Sequence, residues 1–210
     1  MFIGGNSGPE DFRGGLDEIR IWDRALTLDQ LRFVMNQELI ENASMVNGDV
    51  LPATVTKNDI SIVNWNNLLA YYNMNSYIGT HLNDVSGNGN RGSLAEPSEF
   101  NLEYQTSPLP YTTTSNGLWT NNASWTNGTE QYIPGSASIV DPTITVDWNI
   151  VETATNVNTT RDVKVLGLIT SSNELSINDA NYLEVSHYLK IDGVLDLDGE
   201  SQLIQTTNSD

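Results

Sequence analysis

Val163-Lys164-Val165-Leu166-Gly167-Leu168-Ile169, Glu174-Leu175-Ser176-Ile177, Tyr182-Leu183-Glu184-Val185, Tyr188-Leu189-Lys190-Ile191, Val194-Leu195-Asp196-Leu197 and Ser201-Gln202-Leu203-Ile204 follow one another with few residues between them. Most of these pieces alternate apolar and polar residues, the pattern of a strand with one buried face. The apolar pairs Leu175/Ile177, Leu183/Val185, Leu189/Ile191 and Leu195/Leu197 recur every 6–8 residues. Asn178-Asp179, Asp192-Gly193 and Gly199-Glu200 stand between them, and such residues favour tight turns. Short strands at a short period predict stacked rungs of a β-solenoid; a meander or a β-sandwich satisfies the same pattern.

Working outward, the segment 111–210 opens on Trp119-Thr120-Asn121-Asn122-Ala123-Ser124-Trp125-Thr126-Asn127-Gly128, then Pro134, then Ile144-Thr145-Val146-Asp147-Trp148. In a solenoid, Trp119 and Trp125 are expected to cover the open end, where unpaired strand edges need protection. Pro97, Pro108 and Pro110 mark an extended connector before it. At the other end of the chain, Met1–Ile3 reads as a short strand. Leu16-Asp17-Glu18-Ile19-Arg20-Ile21-Trp22 reads as another, with Ile19 and Ile21 on one face. Thr27 suits a helix N-cap, with Asp29 and Gln30 in the first turn of a helix reaching about Gln37. Leu28, Leu31, Val34 and Met35 are its expected apolar stripe. Residues 41–63 carry little pattern and read as a linker with one strand at Ile60–Val63.

Three stretches carry a resemblance to known families. Phe12-Arg13-Gly14-Gly15-Leu16-Asp17-Glu18-Ile19-Arg20-Ile21-Trp22 followed by Asp23-Arg24-Ala25-Leu26 resembles the C-terminal end of a laminin-G-like (concanavalin-like) jelly roll. Leu68-Leu69-Ala70-Tyr71-Tyr72 with Asp84-Val85-Ser86-Gly87-Asn88-Gly89-Asn90 looks like the opening of such a domain without its body. It is expected to pack back on the first stretch as a remnant strand. From Trp119 to Gln205 the chain resembles the head of β-helical repeats in large secreted surface proteins of Bacteroidetes-type bacteria. The implied organisation is all-β. Residues 1–40 form the end of a partial jelly-roll sandwich with one short helix; 41–110 are a linker with the strand-and-turn remnant; 111–210 are the β-solenoid-like segment. The resemblance also implies a fragment of an extracellular or cell-surface protein whose signal peptide lies upstream of Met1.

Composition narrows the partners. The chain has 210 residues, with 9 basic against 27 acidic side chains and a net charge of −18. Nucleic acid is excluded as a natural partner, because phosphate binding needs a basic patch. No stretch approaches a membrane-spanning helix, so membrane insertion is not expected. With no cysteine there is neither a disulfide framework nor a thiolate metal site. Five Trp and eight Tyr supply the core anchors that a disordered chain lacks.

Few groups suggest chemistry. Asp84, Ser86, Asn88 and Asn90 place oxygen-bearing side chains at alternate positions, a pattern that can wrap Ca²⁺. The bidentate acid of an EF-hand is missing, however, and the same residues suit a plain Asn-Gly turn. Asp17 and Glu18 are adjacent, so on a strand they face opposite ways and do not form an acid/base pair; one is expected to pair with Arg20. Asp192, Asp196, Asp198 and Glu200 offer either an acidic ladder on stacked rungs or a solvated face. His81 and His187 have no ligand-like neighbours. Trp65, Tyr71, Tyr72, Tyr77 and Trp119 suit either sugar stacking or an ordinary core.

These features point to a non-enzymatic surface module for adhesion or scaffolding, with glycans or other surface proteins as partners. The alternatives are a carbohydrate-binding module, Ca²⁺-assisted or not, and a non-catalytic part of a secreted polysaccharide-degrading enzyme.

Overall fold

The computed structural model describes residues 3, 14–55, 60–94, 110–126, 128, 132–138 and 140–206. The expected strand at Met1–Ile3 and the residues Phe12, Arg13, Pro97, Pro108 and Asn127 fall on, or extend into, positions outside them. In chain order the elements are β1 (Ile19–Trp22), α1 (Leu28–Val34), β2 (Leu39–Asn42), β3 (Met45–Gly48), β4 (Leu68–Tyr72), β5 (Tyr77–Ile78), β6 (His81–Leu82) and β7 (Gly92–Ser93). Then come β8 (Tyr111–Thr112), β9 (Gly117–Leu118), β10 (Ile150–Thr153), β11 (Val157–Thr159) and β12 (Val163–Thr170). The last are β13 (Glu174–Ile177), β14 (Tyr182–Ile191), β15 (Val194–Leu197) and β16 (Gln202–Gln205). The chain is dominated by β-structure. It divides into two compact units, and their boundaries cut across the three expected segments: one unit joins 1–23 to 66–103, the other joins 24–65 to 104–210.

In the first unit, β1 and β4 pair antiparallel, Ile19 opposite Tyr72 and Arg20 opposite Tyr71. The two stretches that resemble the end and the opening of a jelly roll therefore lie side by side. The strand begins at Ile19, later than the sequence suggests, because Glu18 holds a left-handed backbone at φ 53° that breaks the extended run. Leu68, Ala70, Tyr71 and Tyr72 are buried along β4. The short strands β5, β6 and β7 form a separate antiparallel sheet.

In the second unit, Thr27 caps α1 through a reciprocal box: its Oγ1 accepts the Gln30 N–H (3.2 Å), and Gln30 Oε1 accepts the Thr27 N–H (2.9 Å). The buried face of α1 is Gln30, Phe33 and Val34, whereas Leu28, Leu31 and Met35 are exposed. The expected stripe is thus rotated, because Phe33, fully buried with its ring centroid 5.5 Å from that of His187, sets the face. The helix also stops at Val34, short of Gln37. Gln37 lies beyond it, fully buried: its Nε2 donates to the Phe33 carbonyl (3.1 Å) and its Oε1 accepts the Leu51 N–H (3.1 Å). The expected linker is a packed segment. It holds the β2–β3 hairpin, turned at Ala43 and Ser44 with positive φ, and buries Val46, Leu51, Val55, Ile60 and Val63. Ile60–Val63 is a turn and not a strand, closed by the Val63 N–H donating to the Ile60 carbonyl (2.8 Å).

The remainder of this unit is two parallel sheets. One runs β16-β14-β12-β10-β8, the other β15-β13-β11-β9. Every pair in both is parallel, and consecutive strands never pair with each other, which excludes a meander here. Leu175 lies opposite Leu195, and Leu183 opposite Leu203, so partners sit 20 residues apart. Val163 and Val165 pair with Leu183 and Val185; after an irregularity, Gly167–Thr170 pair with Tyr188–Ile191. Like residues therefore stack in columns: Val157, Leu175 and Leu195; Thr159, Ile177 and Leu197; Val163, Leu183 and Leu203. The alternation read from the sequence is this inward set, and in all but the last layer it is buried.

Side chains at the turns tie the layers together. Asn116 Oδ1 accepts the Asn156 N–H (3.0 Å), and Asn156 Oδ1 accepts the Glu174 N–H (3.0 Å). At other turns Asp162 Oδ1 accepts the Tyr182 N–H (3.0 Å) and Asp179 Oδ1 the Glu200 N–H (2.7 Å). Each bond satisfies an N–H at, or just before, the start of a strand in the next layer.

Candidate functional site

The four residues expected to hold a cation do converge, but on a different centre. Asp84 is nearly buried, and its carboxylate accepts the Tyr71 N–H (3.0 Å), the Ser86 N–H (3.0 Å), the Ser86 hydroxyl (2.6 Å) and the Asn90 N–H (2.8 Å). Asn88 and Asn90 point their amide nitrogens at the Leu68 and Leu69 carbonyls, 2.8 Å away in each case. Donors thus surround the acid, and both amides donate to strand carbonyls. Gly87 and Gly89 adopt positive φ to make the turn. Burial pushes the Asp84 carboxyl up. The hydrogen bonds from the Ser86 side chain and from the backbone of Tyr71, Asn90 and Ser86 outweigh that and leave it below the usual carboxylate value. The arrangement is a knot that pins the turn to β4.

Glu18 pairs with Arg20, as expected for one of the adjacent acids, and its Oε2 also accepts the Tyr71 hydroxyl (2.8 Å). The Arg20 guanidinium lies 5.3 Å from the Tyr71 ring centroid, so the acid, the base and the aromatic ring form one structural cluster. Asp17 is pushed up by burial, partly countered by the Glu18 N–H and by Arg20. The acids near the C-terminal end form no ladder. Asp196 stacks on Ser176, which stacks on Asn158; Asp198 lies past the end of β15; Asp192 pairs with Lys190 at 2.6 Å. Among the described residues no three His, Asp or Glu side chains gather as a metal site requires. His81 lies in the first unit beside Thr80, and His187 in the second beside Ser186 and Phe33.

Of the aromatic residues considered for sugar stacking, Trp65, Tyr71, Tyr72 and Trp119 are buried; Tyr77 is partly exposed. Trp119 and Trp125 meet edge to face at 4.8 Å and 82°, and Tyr111 lies 5.0 Å from Trp125. The Trp119 Nε1–H donates to the Pro134 carbonyl (2.9 Å) and the Trp125 Nε1–H to the Trp119 carbonyl (2.7 Å), so both indoles are satisfied inside the core that contains Val151 and Val157. Burial alone pushes the Tyr111 hydroxyl up to about 12.

Sequence reasoning missed a shallow groove of about 320 Å³ on the β9-β11-β13 sheet, lined by Leu118, Asn156, Asn158, Glu174 and Ser176 among others. The Ser176 hydroxyl donates to Glu174 Oε1 (3.0 Å). Asn158 Oδ1 is buried without a hydrogen-bond partner, and Leu118 is 45 % exposed. The groove thus offers amide, hydroxyl, carboxylate and apolar surface together. The signal for it lies in the positions between the inward columns, but their alignment requires the 18-residue offset between Val157 and Leu175, which no local pattern reveals. No protein-family model, curated protein or solved structure matches the chain.

Proposed function

We propose that the chain is part of an extracellular, non-enzymatic surface module whose second unit is a β-solenoid, serving adhesion or scaffolding. The observation that carries this reading is the parallel pairing of residues 20 apart, with turn side chains bridging successive layers. In such a stack each coil contacts only its neighbours, so length is added without new design, which suits a spacer that holds other domains away from a surface. No helix among the described residues is long and apolar enough to cross a membrane. Duplicating Val163–Tyr182 in place tests the architecture. A solenoid accepts the extra coil, gains β-sheet circular dichroism and keeps a cooperative melt. An unfolded product would sink the reading. For the role itself, surface-coated beads should adhere to bacterial or host cell envelopes; beads that bind none of them count against adhesion.

Carbohydrate binding is the second reading, and the groove beside Asn158 favours it. The Ser176 hydroxyl and the exposed Glu174 carboxylate, next to exposed Leu118, offer a sugar hydrogen-bonding groups and apolar surface together. On a glycan array, Glu174→Gln and Asn158→Ala should each lose a signal that the parent chain shows. Retention of that signal in chelator would place it outside any Ca²⁺ requirement. Silence of the parent across the array sinks this reading.

A further inference from the structure

The groove on the β9-β11-β13 sheet carries an acid without a counter-charge. Leu118, Asn158 and Ser176 lie in register, one to a layer. Asn156 and Glu174 stand beside them, joined by the bond from the Glu174 N–H to Asn156 Oδ1. Glu174 is exposed, and its Oε1 accepts a neutral donor, the Ser176 hydroxyl. Among the described residues no basic side chain pairs with it. The strands of this sheet, β9, β11, β13 and β15, hold no lysine or arginine. On and beside the other sheet, lysines neutralise acids: Lys164 reaches Glu184 and Lys190 reaches Asp192, each at 2.6 Å. Both edges of β11 and of β13 are already paired, so a ligand in the groove meets side chains and not open backbone groups. Neighbouring strands lie about 4.8 Å apart, so three layers offer about 10 Å of this surface, the reach of a short oligosaccharide.

We propose that the groove selects a linear glycan of amino sugars, with free protonated amines, over neutral and acidic glycans. The inference rests on the carbohydrate reading of this groove. The ammonium donates to the Glu174 carboxylate and supplies the counter-charge that the chain itself does not. A ring hydroxyl bonds the Ser176 hydroxyl, and Leu118, 45 % exposed, takes the apolar C–H face of a ring. An N-acetylated sugar has no charge to offer Glu174. A uronate or sulfated sugar brings like charge to it, and to a chain of net charge −18. A basic peptide shares the amine's charge but finds no open strand edge here, the feature through which extended peptides add to sheets.

The test is calorimetric titration of the full chain, at physiological salt, with a short glucosamine oligosaccharide, its N-acetylated counterpart and an oligogalacturonate. The amine form should bind about three- to fivefold more tightly than the N-acetylated form, the worth of one exposed ion pair, and the oligogalacturonate should not bind. Glu174→Gln should bring the amine form down to the N-acetylated level. It should leave N-acetylated binding unchanged, which shows the groove intact. Glu41→Gln removes the same charge from an exposed position on β2 and should change nothing. Equal loss in the two variants means general attraction of a cation to an acidic chain and overturns the proposal. Equal binding of the two sugar forms by the parent chain also overturns it and leaves the carbohydrate reading standing. A lysine peptide that binds more tightly than the amine sugar makes the partner a basic protein and overturns it too. Silence of all three sugars with a signal elsewhere on the glycan array overturns the inference alone; silence of the whole array removes both.

Discussion

Asn156 Oδ1 accepts the backbone N–H of Glu174 at 3.0 Å, joining the turn before β11 to the first residue of β13 one layer on. Asn116 does the same for Asn156 itself. The bond lies near solvent, so its net worth is modest, about 0.5–1.5 kcal/mol. Asn156→Ala should lower the stability of the second unit by that amount, read as a lower denaturant midpoint with unchanged slope. Asn156→Asp keeps the acceptor and should recover most of the loss.

At Gly193 two layers approach closely. A Cβ built there would overlap the backbone carbonyl oxygens of Ser171 and Asn173, neither of which is a flexible group that can step aside. Gly193→Ala should therefore cost about 1–3 kcal/mol. Gly15→Ala is the control: a Cβ at Gly15 meets no atom within 4 Å, and the change should stay within about 0.5 kcal/mol. Equal effects at the two positions would contradict the close approach of the layers.

Asp84 supplies a pH dependence with a definite sign. Its carboxyl sits below the usual value in the folded state because Ser86, Tyr71 and Asn90 donate to it, in spite of burial. The folded state thus binds the proton less readily than the unfolded one, whose carboxyl titrates near about 3.9. The stabilisation is fully present above that value and is lost as pH falls through the lower folded value. In the first unit, the drop in melting midpoint between neutral and strongly acid pH should be smaller for Asp84→Asn than for the parent chain. An identical acid profile would show that the carboxylate does not hold the turn.

The individual strands were legible because a buried face writes itself into sequence at period two. Glu174–Ile177 and Val194–Leu197 fall where the alternation puts them, and Tyr182–Val185 and Tyr188–Ile191 join into one strand. Their partners were not legible, because pairing depends on register with a residue 20 positions away and a hairpin satisfies the same local pattern. Residues 41–63 were misread for a related reason. Val46, Leu51, Val55, Ile60 and Val63 are buried at irregular intervals, and a segment anchored this way has no period to detect. On α1 the stripe was sought among the aliphatic residues, whereas one buried aromatic, Phe33, and a hydrogen-bonded Gln37 just beyond the helix set the face. At the Asp84 turn the spacing of polar residues was plain, but not which end of each amide faces inward. The Leu68 and Leu69 carbonyls decide that.

Trp119 and Trp125 provide the last prediction. They are expected to cover the open end of a stack, and they lie beside its two shortest and terminal parallel strands, β8 and β9, in the same buried cluster as Tyr111, Val151 and Val157. Those strands pair over only two residues each with β10 and β11, too few to hold the first layer alone. The indole pair replaces missing strand length with buried apolar area and two internal hydrogen bonds. Trp119→Ala should then cost about 3–5 kcal/mol, and Trp119→Phe less, since it keeps much of the volume and loses the bond to the Pro134 carbonyl. Hydrogen exchange locates the damage: protection should fall first at β8 and β9 and last at β13 and β15, which lie farther along the stack. Uniform loss across both sheets would mean that the pair supports the whole unit and not its first layer.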